Sequence, residues 1–392
     1  VTIVATIENQ YPKGITANSF TSVSLEPPLV LFCLGKDSTN FQAFNVANFF
    51  AVNILSNEQM ELSNRFAAYD GDRFDGVNWK NWETGAPILD DAIAAIDVAL
   101  WDLKAKINEE PLWKTLGGNN NKVNVYASDI ALPISDDELF NWYSKMSDKF
   151  GFKGGKLKVG LDQESDLKRL ELMHNALSKN CDDPILYVDS NEYWSPKQTI
   201  RNVSEMEERF TLGWIEEPAR RWDFLGLKKV SDSLQTPVCA GENLDTLGDF
   251  LPYFHHRSAD VIQVSHGMTG ISGALQIADA AYALELPVTL GGSSGIIHAH
   301  IANAIPNCIT VEVPHPEPET KVFTSDVTIK DGYAFVGNKP GLGIEVNYEE
   351  LAKHKVEKVS QKAGPSPYGR RPGAGLYEIP PVSYTHLRAH ET

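Results

Sequence analysis

A chain of 392 residues, 42% hydrophobic and 22% charged, has the composition of a soluble globular protein with one large core or two ordinary ones. Its net charge of −17 argues against a nucleic-acid partner, which would favour basic faces. No apolar run approaches the ~20 residues of a membrane helix, and no charged-then-apolar leader opens the chain, which starts at Val1 without Met as a fragment would. The four cysteines, Cys33, Cys181, Cys239 and Cys308, are far apart and form no CxxC pair, so the expected home is a reducing cytoplasm and the expected role core filler.

In chain order, residues 1–56 offer short β-prone runs, "VTIVATI", "SFTSVSL", "LVLFCLG" and "FFAVNILS". Pro12, Gly14 and the pair Pro27–Pro28 read as the turn-formers between them. One helix is expected around "NEQMELSNRF". This is the start of a β-barrel or sandwich. At "GAPILDDAIAAIDVALWDLKAK", residues 85–106, the rhythm changes. Ile93, Ile96, Leu100, Leu103 and Ile107 recur at steps of three and four, which predicts a helix with these residues as its core face. Gly117 and Gly118 end that region. Eight short apolar strands then alternate with amphipathic helices: "VNVYAS", "GGKLKVG", "PILYVDSN", "LGWIEEP", "TPVCAGEN", "DVIQVS", "LPVTLGG" and "ITVEV". The alternation predicts an α/β fold, a (β/α) barrel.

Three carboxylates close successive strands of that barrel: Asp189 in "YVDSN", Glu216 in "WIEEP" and Glu242 in "AGEN". Their spacings, 27 and 26 residues by subtraction, are each about one βα unit. Strand C-termini of a parallel barrel converge on one face, so the three meet in space, and three carboxylates with room for water and substrate suit Mg²⁺. Any one alone would be an ordinary acidic loop residue. Lys156 and Lys158 lie two apart and share a face of their strand. In the barrel mouth each ammonium would discourage the other's charge, lowering a pKa and freeing a neutral lysine as general base. The plain alternative is a solvated pair on an edge, which a closed barrel does not have.

These residues carry a resemblance. From about Ala92 to Val346 the chain resembles the mandelate racemase/muconate lactonizing branch of the enolase superfamily, through "AIDVALWDLKAK…PLWKTLGG", the KxK strand, "VDSN", "IEEP" and "GEN" in order. The resemblance implies Mg²⁺ held by Asp189, Glu216 and Glu242, the first Glu of "IEEP" being the ligand. It implies proton abstraction beside a substrate carboxylate by Lys158, Lys156 assisting, with the metal stabilising an enediolate. Glu312 matches a strand-eight Glu that contacts the substrate carboxylate in relatives. The chain departs from racemase-like members, which carry a second base. Gly291 or Gly292 stands at the strand-seven His position, Val264 or Ser265 where an Asp is expected, and Gly267 near the lactonizing subgroup's Lys. One-base chemistry, with lysine taking the α-proton and a β-hydroxyl leaving, is therefore expected on a hydroxy or sugar acid. His266 is the candidate acid, with an inert loop histidine equally weighted. His298 and His300 belong to the following helix, where i,i+2 residues do not share a face.

The first part, through "GITANSFTSVSLEPPLVLFCLGKDSTNF" and "FFAVNILSNEQMELSNRF", resembles the flavin reductase-like split barrel. The resemblance implies that Thr16, Asn18, Ser19, Thr21 and Ser22 meet the flavin ring and ribityl chain of FMN or FAD, and that Lys36 and Ser38 face a phosphate. It stops near the family's midpoint, so flavin binding is expected to be weak or lost. The enolase-like part in turn lacks most of its cap. The expected organisation is a partial split barrel over 1–91, a cap-helix remnant over 92–118, the barrel over 119–346, a segment packing on barrel or cap over 347–381, and a non-native tail, Val382–Thr392, that resembles a translated sequencing adapter. "DDAIA" satisfies both families, as a join of two coding regions at a shared sequence would, whereas natural fusions join whole domains through linkers. Three activities follow: a Mg²⁺-dependent lyase on a small carboxylic acid, a flavin-binding oxidoreductase, or none, the halves being incomplete. Neither a nucleic acid nor a membrane is an expected partner, and a homo-oligomer is compatible with the reading.

Overall fold

A computed structural model of the chain describes residues 2–9, 11–17, 21–25, 28–32, 34, 38–47, 49–54, 60–68, 72–74, 77, 79–81, 86–89, 92–128, 134–160, 162–292, 294–314, 316–317 and 321–353. Two compact units divide it: Val1–Trp101 with His266–Ser272, and Asp102–Ser265 with Gly273–Thr392.

In the first unit, β1 (Thr2–Glu8) is the centre of a three-stranded antiparallel sheet between β2 (Tyr11–Ala17) and β5 (Ala51–Ile54). Ile3, Val4 and Ala5 are all fully buried, because both faces of the sheet are covered. Ile3 and Ala5 pack with Phe66 and Phe74; Val4 packs with Ile15 and Ala17 against Phe32, Leu34 and Phe44. Two further hairpins are β3 (Thr21–Leu25) with β4 (Pro28–Leu31), and β6 (Trp79–Asn81) with β7 (Pro87–Leu89). Helices α1 (Phe41–Val46) and α2 (Met60–Ala68) complete the described part before α3. Pro12 and Gly14, expected as turn-formers, lie instead inside β2. Within the three-stranded sheet β2 pairs only with β1, and such an edge strand tolerates a proline. At Gly14 a Cβ would stand 2.7 Å from the Phe66 ring, so glycine lets α2 close on the sheet.

Helix α3 (Ala92–Ile107) starts where the sequence places it, but its core face is not the expected one. Leu100, Leu103 and Ile107 are 60%, 50% and 73% exposed, while Ala94 and Ala105 are buried. The side chains of Ile93 and Ile96 lie outside the described residues. The helix is held by carboxylates that cap backbone. Asp97 accepts from the amides of Ile271 (2.5 Å) and Ser272 (2.9 Å) and from the Ser272 hydroxyl. Asp102 accepts from the amide of Leu342 at 2.7 Å.

The second unit holds the eight-stranded parallel barrel, with residues 266–272, the start of one barrel helix, grouped with the first unit. After α4 (Leu112–Thr115), the chain runs β8 (Lys122–Ala127), α5 (Asp136–Phe150), β9 (Gly154–Lys158), α6 (Gln163–Leu177), β10 (Ile185–Asp189), α7 (Pro196–Glu207), β11 (Leu212–Glu216), α8 (Phe224–Ser233), β12 (Val238–Ala240), α9 (Leu247–His256), β13 (Val261–Val264), α10 (His266–Ala283), β14 (Val288–Leu290), α11 (Gly295–Ala302) and β15 (Cys308–Val313). All eight expected strands form, and β15 pairs with β8 to close the ring. Closure leaves these strands without free edges. Start signals are explicit: Ser135 with Glu138, and Ser195 with Gln198 behind Pro196, form capping boxes on α5 and α7. Tyr126, Tyr187, Trp214, Cys239 and Val261, one from each of five strands, fill the barrel interior, with the Tyr187 and Trp214 rings stacked at 3.8 Å. At Gly155 a Cβ would lie 2.6 Å from the Tyr143 ring, so glycine there lets α5 approach until the Tyr143 hydroxyl donates to the Lys156 carbonyl at 2.5 Å.

Beyond the barrel, β16 (Phe323–Thr324) pairs with β19 (Glu345–Val346), β17 (Thr328–Lys330) pairs with β18 (Tyr333–Phe335), and β18 adds antiparallel to β8. The last described element is α12 (Tyr348–Lys353). Most of the 347–381 segment and the 382–392 tail lie outside the described residues. Among the described residues no helix is long and apolar enough to cross a membrane, and Cys181, Cys239 and Cys308 are free thiols. Cys33 lies outside them.

Candidate metal and proton-transfer site

Parallel register assembles the candidate site. Lys158 pairs with Asp189 across β9 and β10, Asp189 with Glu216 across β10 and β11, and Glu216 with Cys239 across β11 and β12. Glu242 follows β12 after Gly241. Inward-facing residues two positions beyond the aromatic layer are therefore polar: Asp189 beyond Tyr187 and Glu216 beyond Trp214.

Lys156 is 2% exposed and bridges three carboxylates, Glu216 at 2.5 Å, Glu312 at 2.8 Å and Asp189 at 3.2 Å. Lys158 pairs with Asp189, its side chain a quarter exposed toward the mouth. Trp214 Nε1 donates to Glu216 at 3.2 Å, and the Gly292 amide donates to Glu312 at 2.7 Å. Gly292 has φ +72°, and a Cβ there would come within 2.8 Å of Glu242 Oε2. Glycine there thus fits the backbone against two acidic side chains.

The expectation that mutual repulsion lowers a lysine pKa is corrected. Burial does push Lys156 down, but the surrounding negative groups, Glu216 foremost, outweigh it and hold the ammonium well above its ordinary value. Lys158 is likewise lowered by burial and by Lys156, yet Asp189 prevails and the net shift is upward. Both lysines hold their protons. Asp189 is favoured as an anion: burial alone would raise it, but Lys158 and Lys156 keep it well below the carboxylate range. Burial and the charge of Asp189 push Glu216 up. Burial and Glu217 push Glu242 up to about 8.

Charge decides what the donor set fits. Four carboxylates (Asp189, Glu216, Glu242, Glu312) against two ammoniums leave a net −2 when all are ionised, with two carboxyls driven toward their neutral forms. A divalent cation with a preference for oxygen ligands balances that deficit. As the side chains stand, among the described residues no three His, Cys, Asp or Glu groups converge closely enough to hold a metal; the Lys156 ammonium is their common partner.

His266 opens α10 in the first compact unit, buried, with burial pushing its imidazole down to about 4. That shift favours the neutral ring. His298 and His300 are fully buried in α11, His300 Nε2 lying 3.2 Å from the Leu342 carbonyl oxygen. Of the candidate flavin contacts, Thr16 lies half-buried in β2 and Ser38 beside α1, where its Oγ accepts from the Asn40 amide at 3.3 Å. Thr21 and Ser22 lie in β3, their side chains outside the described residues, as are Asn18, Ser19 and Lys36. Sequence reasoning did not find Glu217, Asn191 and Asn243, which flank the carboxylates. Their signal was adjacency to the "VDSN", "IEEP" and "GEN" ends.

Residues 141–351 match the enolase C-terminal domain-like family, and residues 1–110 match the flavin reductase like domain. An L-Ala-D/L-Glu epimerase of Clostridium acetobutylicum is 30% identical over 263 residues, 65% of this chain and 72% of the epimerase. The crystal structure of L-talarate dehydratase from Polaromonas sp. JS666, complexed with Mg and L-glucarate, superposes with TM-score 0.60 at 31% identity, covering 67% of this chain and 72% of that one. At the other end, the flavin-dependent monooxygenase reductase subunit HsaB of Mycobacterium tuberculosis is 40% identical over 97 residues, a quarter of this chain and 52% of that subunit; the match spans about half of its length. The chain belongs to the enolase superfamily, as a fusion in which a flavin reductase-like domain precedes the enolase-type barrel.

Proposed function

We propose that the barrel is a Mg²⁺-dependent lyase that removes the proton α to the carboxylate of a hydroxy or sugar acid and expels a β-hydroxyl, as an acid-sugar dehydratase does. The observation that carries this reading is the charge deficit around Asp189, Glu216 and Glu242, beside a lysine that reaches the barrel mouth. Asp189, Glu216 and Glu242 would hold the metal. A bound Mg²⁺ supplies fixed positive charge where the substrate develops negative charge.

The chain's own residues supply the rest. As the side chains stand, Asp189 keeps the Lys158 proton in place. With Asp189 committed as a ligand, that attraction would weaken while the Lys156 ammonium still opposes charge on Lys158, whose Nζ would accept the α-proton and, as the ammonium, return it to the departing β-hydroxyl, which leaves as water. Lys156, held by Glu312, stays charged and orients negative oxygens of the substrate. The absence of a side chain at Gly291 and Gly292 removes a second base, which favours elimination over two-base epimerisation. Incubating the protein and Mg²⁺ with a panel of aldonic and aldaric acids should release a 2-keto acid, detected with semicarbazide. No product from any acid would overturn the assignment.

A second reading, flavin binding by the first unit, draws on the 1–110 match and on Thr16 and Ser38. FMN fluorescence should be quenched on titration, weakly, since the match spans half of that relative's length. Unquenched fluorescence at millimolar protein would remove this reading.

A further inference from the structure

Just beyond β10 and β11 the backbone does something costly. Asn191, Glu192 and Glu217 have φ of 44°, 59° and 44°, a left-handed conformation that non-glycine residues rarely adopt. Each is strained and persists only where surrounding contacts over-determine it. The contacts that do so meet on one side chain. Glu217 Oε1 accepts from Asn243 Nδ2 at 2.5 Å, and Oε2 accepts from Asn191 Nδ2 at 3.4 Å. Its carbonyl accepts from the Ser190 hydroxyl at 3.0 Å and the Glu192 amide at 2.9 Å, and its amide donates to the Cys239 carbonyl at 2.9 Å.

Each partner is next to a candidate ligand. Asn191 lies two residues after Asp189 and donates its amide to Asp189 Oδ1 at 2.8 Å. Asn243 follows Glu242 and lies 3.4 Å from its Oε1, and Glu217 itself follows Glu216. Arg221 closes the outer side. Its Nε donates to Glu192 at 2.5 Å and its Nη1 to the Asn243 carbonyl at 2.9 Å. Glu217 is 4% exposed, so it is screened from bulk water.

We propose that Glu217 is the positioning residue of the metal centre: its carboxylate ties together the turns after β10, β11 and β12 and so fixes the separations of Asp189, Glu216 and Glu242. This rests on those three being the Mg²⁺ ligands. Glu217 does not ligate; its orientation, set by the left-handed turn, points to the two asparagines. The role is geometric, so a neutral isostere that still bridges both asparagines should serve, one asparagine amide rotating to present its oxygen.

The experiment is a Mg²⁺ titration by calorimetry on the full chain and on Glu216→Gln, Glu217→Ala, Glu217→Gln and Asn243→Ala, with circular dichroism on each. Glu217→Ala should weaken Mg²⁺ about 10- to 100-fold, the range for losing a group that orients metal ligands. Glu217→Gln should remain within about threefold of the parent, because its hydrogen bonds are kept. Glu217→Ala within about twofold of the parent, or Glu217→Gln as impaired as Glu217→Ala, would overturn the proposal. Should Glu217→Ala fail to fold, Asn243→Ala decides, a loss of at least about tenfold supporting the role and unchanged affinity refuting it. If the parent does not bind Mg²⁺, or Glu216→Gln binds as well as the parent, the ligand assignment itself fails and the positioning role with it. If Glu216→Gln loses binding and Glu217→Ala does not, only the positioning role is wrong.

Discussion

Replacing Lys156 by methionine keeps most of the side-chain volume and removes one buried charge. Lys156 serves Glu216 at 2.5 Å, Glu312 at 2.8 Å and Asp189 at 3.2 Å. After the change, Asp189 retains Lys158 and the Asn191 amide, and Glu312 retains the Gly292 amide. Glu216, fully buried, keeps the indole N–H of Trp214 as its one remaining side-chain hydrogen bond among the described residues. Breaking a buried pair by removing one partner typically costs about 3–5 kcal/mol. Hydrogen exchange followed by mass spectrometry reads this locally, which suits a chain of two compact units better than one melting curve. Burial already pushes Glu216 toward its neutral form, which lowers that cost, so amides of β10 and β11 should exchange at least roughly tenfold and at most about two orders of magnitude faster in Lys156→Met at pH 7. Acidification should narrow the gap, because Glu216 can neutralise itself by protonation. Equal protection in variant and parent would refute the view that Lys156 is the counter-ion of this cluster.

Two further outcomes follow from the same geometry. Glu217 and Glu242 have folded-state pKa values raised to about 7 and about 8, so the folded protein binds more protons than the unfolded chain between the ordinary carboxylate range and pH 8. Their contribution is present at low pH and lost as pH rises, so metal-free protein should lose protection in β11 and β12 from pH 5 to pH 8, and a flat profile would contradict these shifts. Asp97→Ala removes the cap on Ile271 and Ser272, where α10 is interrupted at Gly270 (φ 68°, ψ −179°). That cap is worth ~1–2 kcal/mol, so amides 271–274 should exchange roughly 5- to 30-fold faster, and unchanged exchange would show that the cap is dispensable.

The barrel was legible because its strands are short, apolar and evenly spaced, and because its acidic residues sit at matching strand ends. What the sequence could not show was the balance of charge. Two lysines on one face suggest a depressed pKa, yet four carboxylates drawn from β10, β11, β15 and the β12 turn reverse the sign. Nor could periodicity choose the buried face of α3: the leucine and isoleucine stripe is exposed at Leu100, Leu103 and Ile107, while Ala94 is buried and Asp97 and Asp102 make the anchoring bonds. In the first unit, proline and glycine marked turns by composition, but β2 absorbs both, one on an edge and one under Phe66. Each miss is a tertiary contact overriding a local preference.

Proton abstraction by Lys158 at a metal-charged site is tested most directly by α-carbon exchange. The full chain, with Mg²⁺ and an aldaric acid in deuterium oxide, should incorporate deuterium beside the substrate carboxylate, as followed by proton NMR. Exchange should vanish in Lys158→Ala while calorimetry shows Mg²⁺ still bound, because the lysine handles the proton and the carboxylates handle the metal. Deuterium incorporation that persists in Lys158→Ala, or that proceeds equally well without Mg²⁺, would contradict the account.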